Sequence, residues 1–125
     1  MKRRKIMNSF RDAFSGLAYA FKTERNINLH ILGASAALAA SFYFQVERYE
    51  LLFVLTAIFL IFITEMLNTS VEAVVDLKTG EYHPLARIAK NVAAGAVLCA
   101  ALFALSVAYL VFAERVSGLF QMYIL

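Results

Sequence analysis

Apolar positions recur along the chain in two rhythms. Between residues 6 and 22, Ile6, Phe10, Phe14, Leu17 and Phe21 follow one another at steps of 4, 4, 3 and 4, while Arg11, Asp12, Ser15 and Lys22 take the other faces. That spacing predicts an amphipathic surface helix over about 6–22, seated in a membrane headgroup layer as an anchor or as a surface over which a lipid substrate passes. Farther on, the apolar residues run almost unbroken. Asn26 to Val46 and Asn91 to Ala113 hold no Asp, Glu, Lys or Arg, and Leu51 to Thr64 is uncharged but continues through Glu65 into Met66, Leu67, Val71, Val74 and Val75. Runs of about 20 apolar residues suit a hydrocarbon core roughly 30 Å thick. The pattern therefore predicts transmembrane helices at about 28–46, 51–76 and 85–113.

Punctuation falls between these runs. Gln45 to Glu50 reads as a short outer turn, and Thr79, Gly80 and Pro84 mark a cytoplasmic loop, since Gly suits a helix end and Pro a first helical turn. Gly33, Ala34, Ser35, Ala36 and Ala37 in the first span, and Ala93, Ala94, Gly95 and Ala96 in the third, are small residues that permit close helix packing in lipid. The first span is too long and too far from the N-terminus for a cleaved signal peptide, so all 125 residues are taken as mature protein. With 62% hydrophobic residues, one Pro and five Gly, the chain suits a single all-α membrane domain over 1–125.

Charge then sets orientation. Of the 12 Lys and Arg residues, Lys2, Arg3, Arg4, Lys5, Arg11, Lys22 and Arg25 precede the first span, and Lys78, Arg87 and Lys90 lie between the second and third; Arg48 and Arg115 alone flank the other ends. The positive-inside bias places the N-terminus and the second loop in the cytoplasm. The net charge of +3 abuts a membrane span, where anionic headgroups attract it, and is no nucleic-acid signal. Cys99 is the single cysteine, which excludes an intrachain disulfide and a thiolate metal site and leaves a packing role. Tyr43, Tyr49, Tyr109, Phe120 and Tyr123 sit near span ends as interfacial anchors.

The second span carries the chemistry. At about 100° per residue, Glu65, Asn68, Glu72 and Asp76 fall within an arc of roughly 80°. Glu65 lies about 21 Å along the helix from Leu51 at about 1.5 Å per residue, in the cytoplasmic half of the bilayer. Ionisable groups at that depth cost a few kcal/mol unless they face protein or water. One explanation is interhelical pairing with Lys90, Arg87 and Arg25. The other is a divalent cation with an anionic ligand, which relieves the mutual repulsion of three carboxylates as a lone Lys does not. Mg²⁺ held by one or two carboxylates and substrate phosphates is the usual arrangement for nucleotide chemistry. The glycines are isolated, and none opens a phosphate-binding loop followed by Lys. Phosphoryl transfer here needs a cation site, a Lys for developing charge and a carboxylate for the acceptor's proton, parts that Glu24, Glu72, Lys90 and Glu65 can supply.

The run from Glu65 to Asp76 (EMLNTSVEAVVD), then Glu81-Tyr82-His83-Pro84-Leu85, then Ala89-Lys90-Asn91 and Ala93-Ala94-Gly95-Ala96-Val97, resembles the prokaryotic diacylglycerol kinase and undecaprenol kinase family. Glu, Asn and Glu spaced by 3 and 4, with a Lys 18 residues after the second Glu, form its specific core. Thr23-Glu24-Arg25-Asn26, with His30, is similar to the undecaprenol kinase branch. The likeness implies a homotrimer in a bacterial plasma membrane with ATP sites shared between subunits. It implies Glu65 as general base, Glu24 and Glu72 as metal ligands, and Asn68, Asp76, Glu81, Tyr82, His83, Lys90 and Asn91 around the nucleotide; Glu65 and Ala94 would meet the lipid. Asn91 departs from the Asp usual in the family, although an amide still donates and accepts hydrogen bonds. His30 and His83 read more simply as a hydrogen-bonding residue and a helix cap.

The expected function is transfer of the γ-phosphoryl of ATP, with Mg²⁺, to the primary hydroxyl of a membrane lipid. Undecaprenol is the first acceptor and diacylglycerol the alternative. A non-catalytic helical assembly protein whose carboxylates pair with basic residues is the rival of another class, and it predicts no dependence on ATP.

Overall fold

A computed structural model describes residues 6–124 as four helices: α1 (Ile6–Thr23), α2 (Ile27–Tyr43), α3 (Arg48–Lys78) and α4 (Pro84–Ile124). Lys2, Arg3, Arg4 and Lys5, which count toward the expected orientation, lie outside the described residues. The long helices α3 and α4 form the principal pair, and α1 and α2 each touch α3 over a shorter stretch. The core is small. Val54 and Ala57 of α3 meet Val107 and Val111 of α4, with Ala37, Ile58, Phe103 and Phe112 packed around them.

Much of the remaining apolar surface faces outward. Leu52, Phe53, Phe59, Leu67, Leu98, Leu102, Leu105 and Leu110 are all more than half exposed. A contiguous apolar surface of that extent is not tolerated in water. The most apolar windows of α3 and α4 are only 17% buried inside the chain, which is the condition of helices solvated by lipid rather than of a soluble core. These two helices are long and apolar enough to cross a membrane. α2 is apolar but has 17 residues, about 26 Å at roughly 1.5 Å per residue.

The boundaries differ from those read off the sequence where local hydrogen bonding decides them. α2 stops at Tyr43 rather than 46, because Gln45 adopts a left-handed φ of 50°. The Val46 N–H reaches the Ser41 carbonyl at 3.1 Å and the Gln45 N–H reaches that of Phe42 at 3.3 Å, the paired bonds of a Schellman motif. α3 begins at Arg48 rather than 51, where the Glu50 carboxylate accepts the Glu47 N–H at 2.9 Å and supplies an orphan donor with a partner. α4 does not end near Ala113 but continues to Ile124. Arg115 is the anchor of that extension: it grips Glu50 of α3 with both guanidinium nitrogens, at 3.0 and 2.8 Å, and also reaches the Val111 carbonyl. The bidentate geometry ties the N-terminal end of α3 to α4 at the face opposite the charged loop. Cys99 is exposed on α4 and not packed within the chain, so the packing role expected of it is not met here.

Candidate active site

The carboxylate stripe of α3 is graded by burial. Glu65 is 6% exposed, Asn68 is half-buried, and Glu72 and Asp76 are open. One helix face thus runs from a desolvated carboxylate to solvated ones over three turns, from the apolar helix pair to the charged loop.

At the buried end, α2 and the end of α1 close on α3. The Nε2 of His30 lies 2.6 Å from Oε1 of Glu65, with the two side chains 16% and 8% exposed. An ionised carboxylate only accepts, so Nε2 is the protonated nitrogen of such a pair. Phe21 of α1 stacks on Phe62 of α3 with ring centroids 5.6 Å apart, holding the end of the surface helix against the stripe. Glu24 follows directly and shares a narrow cleft with Glu65, Met66 and Thr69. The Thr69 hydroxyl stands 3.3 Å from Oε2 of Glu24 and 3.0 Å from the Glu65 carbonyl, and its single proton serves one of them at a time.

The middle of the stripe has an unfilled acceptor. Asn68 Nδ2 donates to Oε1 of Glu72 at 3.3 Å, while Asn68 Oδ1 is buried without a hydrogen-bond partner. A buried carbonyl oxygen without a donor is costly unless a ligand completes it. Among the described residues no three His, Cys, Asp or Glu side chains gather where they could hold a metal ion. Asn68 and Glu72 offer adjacent oxygens on α3, and Glu24 offers its carboxylate from the separate cleft it shares with Glu65; oxygens of this kind are the donors that Mg²⁺ takes together with waters or substrate phosphates.

At the open end, Lys90 of α4 pairs with Oδ1 of Asp76 at 2.6 Å. Around them, Thr79, Gly80, Glu81, Tyr82, His83, Arg87 and Asn91 line a polar cleft of about 360 Å³. Its wall is ordered locally. Thr79 Oγ1 donates to the Glu81 carbonyl at 3.0 Å and accepts the Glu81 N–H at 3.2 Å, and His83 Nδ1 accepts the Leu85 N–H at 3.2 Å as a cap on α4. Asp76, Glu81, Tyr82, His83, Lys90 and Asn91 therefore share one cleft, whereas Glu24, Glu65 and Thr69 share the other. Asn68 and Glu72 stand on α3 between them. Ala94 is exposed on α4 and is not among the residues lining the narrow cleft that contains Glu65.

A further, apolar groove of about 360 Å³ runs between α2, α3 and α4, floored by Gly33, Ala34, Ala37, Ala57, Ala101 and Ala104 and walled by Ile58, Ile61 and Phe62. It ends on His30. The sequence does not pair His30 or Thr69 with Glu65. The only signal for Thr69 is its place four residues after Glu65; His30 is expected to be a hydrogen-bonding residue and is one, but its partner is not legible because the contact spans two helices.

An apolar groove ending on His30, the buried Glu65 that His30 contacts, and a separate charged cleft toward the 79–83 loop are the site features of this helical protein. The family model described as prokaryotic diacylglycerol kinase matches residues 11–112. A diacylglycerol kinase of Synechocystis sp. is 43% identical over 103 residues, covering 82% of this chain and 59% of that protein, so the chain spans less than two thirds of that relative. An undecaprenol kinase of Bacillus subtilis is 35% identical over 111 residues, 89% of this chain and 90% of the relative. A diacylglycerol kinase of Escherichia coli K12 is 29% identical over 92 residues, 74% and 75% of the two chains. The chain belongs to the prokaryotic diacylglycerol kinase family, a family of lipid kinases.

Proposed function

We propose that the protein is a three-span membrane kinase that transfers the γ-phosphoryl group of ATP to the primary hydroxyl of a membrane lipid, working as a homotrimer with the N-terminus in the cytoplasm. The observation that supports this reading is Glu65, a buried carboxylate held by His30 where the apolar groove ends, on the same helix stripe that leads to the polar cleft. Lipid chains lie in the groove and the hydroxyl reaches Glu65. The nucleotide lies along the polar cleft, with Asn68, Asp76, Glu81, Tyr82, His83 and Asn91 as its surroundings and Lys90 neutralising phosphate charge. Glu24 and Glu72 hold the cation, with Asn68 Oδ1 as a further oxygen donor. Mg²⁺ held there would supply charge neutralisation to the phosphate oxygens of ATP. Glu65 takes the hydroxyl proton as the lipid oxygen bonds to the γ-phosphorus, the bond to the β–γ bridging oxygen breaks, and ADP departs with that electron pair.

Undecaprenol is the acceptor we favour. The Bacillus subtilis undecaprenol kinase aligns over nine-tenths of its length, and the groove floor of Gly and Ala suits a slender isoprenoid chain. Diacylglycerol is the second reading, favoured by the higher identity to the Synechocystis sp. diacylglycerol kinase. Purified protein in bilayers, given radiolabelled ATP, Mg²⁺ and either lipid, should label undecaprenol faster than diacylglycerol. Preferential labelling of diacylglycerol would reverse the choice of acceptor, and no labelling of any lipid alcohol would end the kinase reading.

A further inference from the structure

His30 is the point at which the apolar groove meets the buried carboxylate. It lines the groove together with Gly33, Ala37 and Phe62, and its Nε2 contacts Oε1 of Glu65 at 2.6 Å. Among the described residues no other side chain hydrogen-bonds this carboxylate; Thr69 reaches only the backbone carbonyl of Glu65. Glu has three side-chain torsions, and a carboxylate fixed through one oxygen leaves the other oriented. The contact is at the short end of charge-assisted geometry and is strengthened by the low dielectric around it.

We propose that His30 is a positioning residue that holds Oε1 of Glu65, so that Oε2 is presented to the acceptor hydroxyl of a lipid arriving along the groove. The proposal rests on the kinase reading above and adds to it how the base is aimed. It also accounts for the placement of α2, which brings the orienting group to α3 from 35 residues away in sequence. A lipid headgroup at the His30 end of the groove meets the imidazole, and through it the carboxylate, whereas neither residue lines the polar cleft proposed to hold the body of the nucleotide.

Kinetics separate this role from a structural one. His30→Ala should lower kcat by about 10- to 100-fold, the range seen when outer partners that orient a reacting centre's ligands are lost, and leave the KM for ATP unchanged. His30→Gln, whose terminal amide nitrogen sits near the place of Nε2, should recover kcat to within about threefold of the parent. In a Glu65→Gln background His30→Ala should cost nothing further, since the two residues act as a unit. An unchanged kcat in His30→Ala, or an equal further loss in the Glu65→Gln background, would overturn the proposal.

A readout without turnover keeps the two readings apart. The chain has two histidines, so ¹⁵N-histidine labelling gives two imidazoles, and His83→Gln identifies which is which. The His30 Nε2 resonance should move in Glu65→Gln. If it stays in place while the protein remains an active kinase, the His30 proposal falls alone. If it moves but no lipid alcohol is phosphorylated, the kinase reading falls and takes the catalytic role of His30 with it.

Discussion

Removal of a general base costs about 10² to 10⁴ in rate, and Glu65→Gln is the residue change that tests the role proposed for Glu65. The amide keeps the size of the side chain and can still accept from His30 Nε2, so the buried end of the stripe stays filled. The variant should bind ATP with its cation normally while turnover collapses by that factor; a variant that loses nucleotide binding and keeps its residual rate at saturating ATP would make Glu65 a ligand contact instead. Glu24→Gln and Glu72→Gln should behave differently. Each would remove one charge from the proposed cation site, so each should shift the Mg²⁺ titration to higher concentration and recover part of its rate there. An unmoved titration in both would exclude them from the metal shell. The stripe itself is legible in the sequence, since Glu65, Asn68, Glu72 and Asp76 fall on one face by helical period alone. The pairing of His30 with Glu65 is not, because it depends on the rotation and height of α2 against α3, which period within one helix does not encode. Asn68 shows the same limit: its position on the stripe follows from spacing, but the unpartnered Oδ1 emerges only once burial is known.

At the scale of helices, the loop between α2 and α3 carries a testable strain. Gln45 is the only non-Gly residue with positive φ among the described residues. A left-handed conformation costs an L-residue with a side chain about 1–2 kcal/mol, and Gly is the usual occupant of this place in a Schellman motif. Part of the gain from a Gly here is offset because Gly loses more freedom on folding. Gln45→Gly should therefore stabilise the fold by roughly 0.5–1 kcal/mol, read as a higher thermal midpoint in detergent with unchanged kinetics. A lower midpoint would mean that the Gln45 side chain makes a contact worth more than the strain. The ends of helices show where sequence reading succeeds and where it stops. Pro84 starts α4 as Pro does at a first turn, and His83 caps it. The far end of α4 lies well beyond Ala113, because the fall in hydropathy there signals departure from the hydrocarbon, not an end of the helix. Ser117, Gly118 and Gln121 break the apolar run without breaking the helix, and Arg115 is fixed to Glu50 from another element.

For the molecule as a whole, the two ends of the α3–α4 pair differ in kind. At one end a bidentate Glu50–Arg115 pair joins the helices; at the other, Asp76 and Lys90 pair across a polar cleft lined by the loop 79–83. Between them lies surface that only lipid or other subunits would cover, including Phe59, Leu102 and Leu105. Ten of the twelve basic residues flank the α1 end and the 78–90 segment, so the positive-inside bias predicts a cytoplasmic cleft end, the side that supplies ATP, and an outward Glu50–Arg115 end. Four of the ten, Lys2 to Lys5, contribute through sequence alone. Single cysteines at Glu47 and Thr79 test the arrangement, provided that Cys99, exposed on α4, is first replaced by Ala. In intact cells a membrane-impermeant thiol reagent should label Glu47→Cys and leave Thr79→Cys untouched; in inverted vesicles the pattern should reverse. Glu47 precedes α3 and Thr79 follows it, so opposite labelling also establishes that this helix crosses the bilayer. Labelling of both from one side would make α3 a helix that does not span, and would remove the cytoplasmic nucleotide and buried lipid hydroxyl from opposite ends of the same stripe.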